Sequence, residues 1–329
     1  MDCSVPVDRP DRRYKNAQTA VASHVKLWSC SRHCPVSHIA SVRLPWMKQE
    51  QRSADRNPIA DCCFSAMRIA FRAIAFLLVA LVGFVTYAGY FDDEVLLDVP
   101  ATGPPVTGHS HLAAVYFSGD VGYKVAMGGM IGSRLAADGI PVVAVNSMGY
   151  FRQHRTIAEV TSLTEKAIRQ ALSFGSADQI ILIGHSLGAD ALQASLVHLP
   201  QDLRARVRVV VLIVPTDAIY LQISPGEMLD WSRPDAEALS TLRQLTWAPV
   251  TCIFGSQESD SPCPQLTAPN VRKVPLPGGH ALGWNVNAVH EEILHSIDTA
   301  PDTKITNSSG PDNLAAMPKG AEGGHTQAQ

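Results

Sequence analysis

The sequence carries little net charge: 27 Lys and Arg stand against 30 Asp and Glu in 329 residues, a formal −3. Without a basic excess there is no electrostatic case for binding a phosphate backbone, so nucleic acid is not expected as a partner. No internal repeat is present, which excludes a repeat array. Cysteine is scarce beyond the N-terminal region. Five of the seven lie in the first 66 residues, leaving only Cys252 and Cys263. In an oxidising compartment these two, eleven positions apart around a loop, are expected to pair. Cys30, His33 and Cys34 (CSRHC) look like half of a metal site, but no second ligand pair is found at a recognised spacing. HEEILH, with His290 and His295, is not the zinc motif it resembles. A separation of five puts the two rings on different faces of a helix. No metal or other cofactor is expected.

What the chain does have is one long uncharged run. Residues 67–91, MRIAFRAIAFLLVALVGFVTYAGYF, open with two arginines and continue from Ala73 to Phe91 without a charge. A basic flank, an apolar stretch and a small residue at Ala88 fit a secretory signal. Uncut, the run is long enough to span a bilayer, for which about 20 residues suffice. Either reading exports the chain beyond it, as a secreted protein or one anchored by 73–91. Met67 is therefore expected to start the functional chain. Residues 1–66 are read as disordered or as an over-long reading frame, and the polar stretch 299–329 as a disordered tail.

Between about 110 and 298 strand and helix patterns alternate. Short β-branched runs at Ala113–Phe117, Pro141–Val145, Gln179–Ile183, Val207–Val214, Val250–Phe254 and Val271–Pro275 predict strands. Helical spacing covers Met127–Asp138, Ile157–Ser173 and Leu187–Leu199. Such alternation predicts an α/β fold, a mostly parallel sheet with helices on both faces. Asp217–Asp235 breaks the rhythm, which leaves room for a short hairpin over the site but not for a large lid.

One strand-to-helix junction carries chemistry. In ILIGHSLGAD, Ser186 stands between Gly184 and Gly188 after a buried strand and before a helix. This G-x-S-x-G turn lifts a serine hydroxyl clear of a sheet, with the glycines there because strand and helix backbones pass closely. A serine hydroxyl needs a base oriented by an acid. Further along, strand VTCIF runs into GSQESDSPCP, offering Glu258 and Asp260, and strand VRKVPLP runs into GGH, offering His280. All three groups lie just past strand C-terminal ends in the order serine, acid, histidine, which is the order of an α/β-hydrolase triad. Asp260 is preferred to Glu258 as the acid on its loop position. His185 is rejected as the base, because its side chain leaves the turn in another direction. The oxyanion hole is expected from the backbone N–H of Leu187 together with that of Asp120 or Val121 in FSGDVGY.

With those residues identified, the chain resembles the bacterial virulence protein VirJ and the related AcvB domain. The resemblance lies in SGDVGY, GIPVVAVNSMGYF with Arg155–Thr156, LIGHSLGAD, CIFGSQESDSPC and LPGGH, in matching order over nearly all of 110–297. Val121, Tyr123, His185 and Leu187 depart from the residues usual in that family. The resemblance implies a periplasmic α/β-hydrolase that releases the amino acid, typically lysine, from aminoacylated phosphatidylglycerol at a membrane surface. It also implies a link to type IV secretion proteins. Ser186 would attack the ester, His280 move the proton and Asp260 hold the imidazole. For a cationic lysyl group, Asp120, Asp190, Asp217 and Glu258 are the candidate contacts. Tyr150–Phe151 and Arg155–Thr156 are read as structural. A general acyl esterase or lipase, and a non-catalytic component of a secretion assembly, are the competing readings.

Overall fold

The structure, a computed structural model, describes residues 58–224, 226 and 232–301. The CSRHC cysteines, most of the segment upstream of Met67 and the tail beyond Pro301 lie outside the described residues. The chain divides into two compact units, Met1–Ala66 and Met67–Gln329, and the second contains the sheet and the candidate site.

Helix α1 spans Pro58–Tyr87 and so begins upstream of the predicted start. Its stretch Met67–Tyr87 is long and apolar enough to cross a membrane, and none of that stretch packs inside the protein. At 1.5 Å per residue those 21 residues extend about 31 Å, close to the hydrocarbon thickness of a bilayer.

The chain then forms β1 (Leu96–Val99), β2 (Leu112–Phe117), α2 (Met127–Ala137), β3 (Val142–Val145), α3 (Ser147–Tyr150) and α4 (Ile157–Phe174). It continues through β4 (Gln179–His185), α5 (Leu187–Leu196), α6 (Gln201–Arg204), β5 (Val207–Ile213), β6 (Ala218–Ile219), β7 (Ala236–Glu237) and α7 (Ala238–Leu242). The last elements are β8 (Val250–Gly255), β9 (Val271–Leu276) and α8 (Val286–Thr299). Seven strands make one sheet in the order β1-β3-β2-β4-β5-β8-β9, all parallel except β1. This is the α/β-hydrolase architecture, with β4, the strand that leads into Ser186, at its centre.

The core arises from the sequence pattern. β2, β3 and β4 are apolar on both faces, so each face needs a helical layer. One layer buries Val115, Leu182 and Val210 with Val160, Ile168 and Leu192 of α4 and α5. The other buries Tyr116, Ile181 and Val211 with Ile131 of α2 and Ile293 of α8. All six predicted strands form. β1 escaped prediction because its four residues, LLDV, are too few to set a period and only the first is fully buried. The predicted excursion is the two-stranded hairpin β6–β7.

The His290 ring meets a carboxylate: Nε2 lies 2.7 Å from Asp138 Oδ2. Cys252, at the core of β8, is joined to Cys263, with Cα atoms 5.7 Å apart. The bridge closes the loop that carries both acid candidates. A loop of this length restricts the unfolded chain by about 3 kcal/mol. Cys252→Ser is therefore expected to lower stability by about that amount, measured by chemical unfolding of the full chain without reductant.

Candidate active site

Ser186 sits at the junction of β4 and α5 with φ 53° and ψ −125°. A non-glycine residue in that region is strained, and the strain persists here because neighbours over-determine it. Ser186 N donates to Ile213 O at 2.9 Å, and Ser186 O accepts from the N–H groups of Ala189 and Asp190. The flanking glycines are a steric requirement. A Cβ at Gly184 would meet the Ala189 backbone, and one at Gly188 would collide with the carbonyl oxygens of Phe117 and Ser118.

The hydroxyl has a base. Ser186 Oγ lies 2.9 Å from His280 Nε2, and His280 Nδ1 lies 2.6 Å from Glu258 Oε1. The acid on the imidazole is thus Glu258, not Asp260, and the preference read from loop position is corrected. The reason is visible in the backbone. Ser256 N donates to Leu276 O and Gln257 N to Gly278 O, so the end of β8 continues alongside the end of β9 towards His280. Glu258 N turns back onto Gly255 O, and Glu258 Oε2 accepts from Gly255 N at 2.7 Å. The longer glutamate side chain folds over its own strand end, and 3% of it is exposed. By Asp260 the chain has left: its carbonyl accepts from Asp217 N at 2.8 Å, and the residue is exposed. The same placement removes Glu258 from the substrate contacts.

Electrostatics agree with the geometry. The hydrogen bond that His280 donates to Glu258 is the leading cause that holds the His280 pKa above the ordinary imidazole value; partial burial opposes it, and the charges of Glu258, Asp260 and Asp190 assist. His185 goes the other way. Burial, and then repulsion from His280, push it down to about 4, so it is neutral beside the serine.

A pocket of ≈ 180 Å³ opens at Ser186, lined among others by Asp120, Leu187, Asp190, Thr216 and Ile223. Two of the expected oxyanion residues, Asp120 and Leu187, line it, and the neighbouring Gly119 packs so that a Cβ on it would lie 3.6 Å from Ser186 Cβ. Of the four expected cation contacts, Asp120 and Asp190 line the pocket. Asp217 does not; its backbone is taken up by Asp260 and Ala238. Sequence reasoning missed Thr216, whose N–H and hydroxyl bind the two oxygens of Asp190 at 2.9 and 2.7 Å. It had no signal of its own, since only the return of the chain after β5 brings it over α5. The segments Tyr150–Phe151 and Arg155–Thr156 brace the pocket wall. Phe151 O accepts from Ile223 N at 2.7 Å, and Arg155 N donates to Leu221 O at 2.9 Å.

Burial pushes the pKa of Asp190 up to about 7, against the bonds from Thr216, which lower it. A carboxyl that holds its proton more tightly folded than unfolded stabilises the fold fully below about pH 4 and loses that contribution as pH rises to about 7. Asp190→Asn is therefore expected to stabilise the protein at pH 8 by about 2–4 kcal/mol, with the gain vanishing near pH 4. The amide keeps an acceptor for Thr216 N, and the Thr216 hydroxyl retains the Ala218 carbonyl at 2.9 Å. Thermal unfolding of both chains across that pH range checks this.

Residues 111–301 match the family model of the bacterial virulence protein VirJ. The chain belongs to that family. No functionally curated protein matches it. Among solved structures, this VirJ-family chain superposes on Est1E from Butyrivibrio proteoclasticus, with TM-score 0.44 and 14% identity over 62% of this chain and 100% of that one. MenH from S. aureus gives TM-score 0.42 and 11% identity over 62% and 98%. The thioesterase domain from the curacin biosynthetic pathway gives 0.42 and 16% over 60% and 94%.

Proposed function

We propose that this VirJ-family protein is a periplasmic serine esterase that cleaves the aminoacyl ester of aminoacylated phosphatidylglycerol, lysyl-phosphatidylglycerol in particular. The observation that carries the reading is the hydrogen-bonded chain Ser186–His280–Glu258 at the mouth of a pocket that also holds Asp120 and Asp190.

The chemistry runs as acyl transfer. His280 Nε2 takes the Ser186 proton as Oγ attacks the ester carbonyl, while Glu258 holds Nδ1–H and stabilises the imidazolium. The tetrahedral oxyanion is received by N–H groups of Leu187 and of the Asp120–Val121 turn. His280 then returns the proton to the leaving glycerol oxygen, leaving the aminoacyl group on Ser186. Water, deprotonated by His280, releases the free amino acid.

Two observations favour a cationic acyl group on a lipid. Asp190, poised near neutrality, is driven to its charged form by an ammonium group beside it. The stretch Met67–Tyr87 is long and apolar enough to cross a membrane, and such a span would bring the domain to a bilayer, where the ester lies in the headgroup layer. A neutral acyl esterase is the second reading, favoured by the apolar side of the same pocket, Leu187, Ala218 and Ile223.

The test is release of free lysine from lysyl-phosphatidylglycerol in detergent micelles by the full chain, with a water-soluble butyrate ester as the comparison. Lysine release that Asp190→Asn weakens selectively through KM supports the proposal. Hydrolysis of the butyrate ester alone would leave a neutral esterase.

A further inference from the structure

The turn after α1 is built into the domain. Ala88 and Gly89 are buried, Ala88 to 1% exposure. Gly89 O accepts from the side-chain amide of Asn146, itself 2% exposed, at 2.8 Å. Tyr90 O accepts from Arg152 Nη1 at 3.0 Å, whose other Nη lies 3.3 Å from Asp93, and Lys124 reaches Asp92 at 2.9 Å. The approach to the domain is close. A Cβ at Gly122 would collide with the Ala88 carbonyl, and one at Gly89, where φ is +93°, would stand 2.6 Å from Asn146 Nδ2.

Gly122 belongs to the expected oxyanion turn. Its N–H donates to Gly119 O at 3.1 Å, closing the turn around Asp120 and Val121. One end of that turn, Gly119, rests on Ser186; the other, Gly122, rests on Ala88, just past the end of α1. Ser118 is pinned from the same side, through its hydroxyl to Val145 O at 2.9 Å and from Ser147 N at 3.0 Å. The turn is clamped between Ser186 and the segment that follows α1.

We infer that Ala88–Asp93 is a positioning element of the active site: α1 is retained as a membrane anchor, and its end holds the Asp120–Val121 N–H groups against Ser186. This deepens the proposed esterase and rests on it. A cut after Ala88, the position that suits a signal peptidase, would remove the carbonyl against which Gly122 packs and leave Gly89 as a charged chain end beside Asn146.

The experiment uses the full chain in detergent micelles and reads the second-order rate of fluorophosphonate labelling at Ser186, since the phosphonyl oxygen occupies the oxyanion hole. Asn146→Ala and Gly89→Val are expected to slow labelling by about tenfold or more, short of the roughly 10²–10³ that outright loss of an oxyanion donor costs. On a soluble butyrate ester they should lower kcat and leave KM within about twofold, because the loss falls on the transition state alone. Arg152→Gln should fall short of wild type, and Arg152→Lys should recover. Variants with a lowered melting temperature but unchanged labelling rate and kcat would overturn the inference, as would a mature N-terminus at Gly89 or later, found by mass spectrometry of the protein from bacterial envelopes. A wild-type protein that is folded and unlabelled would instead remove the esterase reading, and the inference with it.

Discussion

Glu258→Gln is expected to lower kcat by about 10³–10⁴, the size of effect seen when a triad acid is replaced by its amide and the imidazole loses its correct tautomer. Asp260→Asn should change kcat by less than about threefold, since an exposed charge near a base acts only through screened electrostatics. The contrast is large because the two residues stand in different relations to His280. Glu258 Oε1 is 2.6 Å from Nδ1, and its other oxygen is held by Gly255 N. Asp260 acts on the ring only through its charge. The pH profile separates them again. The base must be neutral to accept the serine proton, so kcat/KM is present above the His280 pKa and lost as pH falls through it. Removing the Glu258 carboxylate removes the leading cause that raises this pKa, and the acid limb should move to lower pH. Asp260→Asn should move it in the same direction by less. If Asp260→Asn were the damaging substitution, the loop would have to be rebuilt around the position read from sequence.

Ser186→Ala should abolish fluorophosphonate labelling and reduce ester hydrolysis by about 10⁶, the loss found when a triad serine is removed while binding and the oxyanion hole remain. Alanine can be accommodated without disturbing the turn, because Ser186 accepts and donates through its backbone there and its hydroxyl bonds only to His280 among the described residues. Stability should therefore change little or rise slightly, since strained sites are held at a cost to the fold. Lysine release by the parent and none by the variant would join substrate and nucleophile in one result. A phenotype in secretion that survives Ser186→Ala would instead assign the fold to protein contacts, since an α/β-hydrolase architecture does not by itself guarantee hydrolysis.

By itself, the sequence determined the fold class and the positions of the chemistry. β-branched runs in alternation with helical spacing require a parallel sheet, and glycines at 184 and 188 around Ser186 require a sharp turn at its centre. His280 was legible because it stands directly after the end of a strand, where an open sheet presents its site. Each of these is a local property, set by periodicity or backbone clearance within a few residues.

The acid was not local. Glu258 and Asp260 differ by two positions in one loop, and the choice between them depends on Gly255 N, on the ladder from Ser256 and Gln257 to β9, and on Asp217 holding the Asp260 carbonyl. Thr216 over Asp190, and the end of α1 against Gly122, were likewise beyond reach of sequence pattern, since each joins segments that meet only when the sheet is assembled. Strand and helix periods decide which face a residue takes. Only the packed structure decides which neighbour a polar side chain meets there, because hydrogen bonds are short and directional while hydrophobic burial is neither.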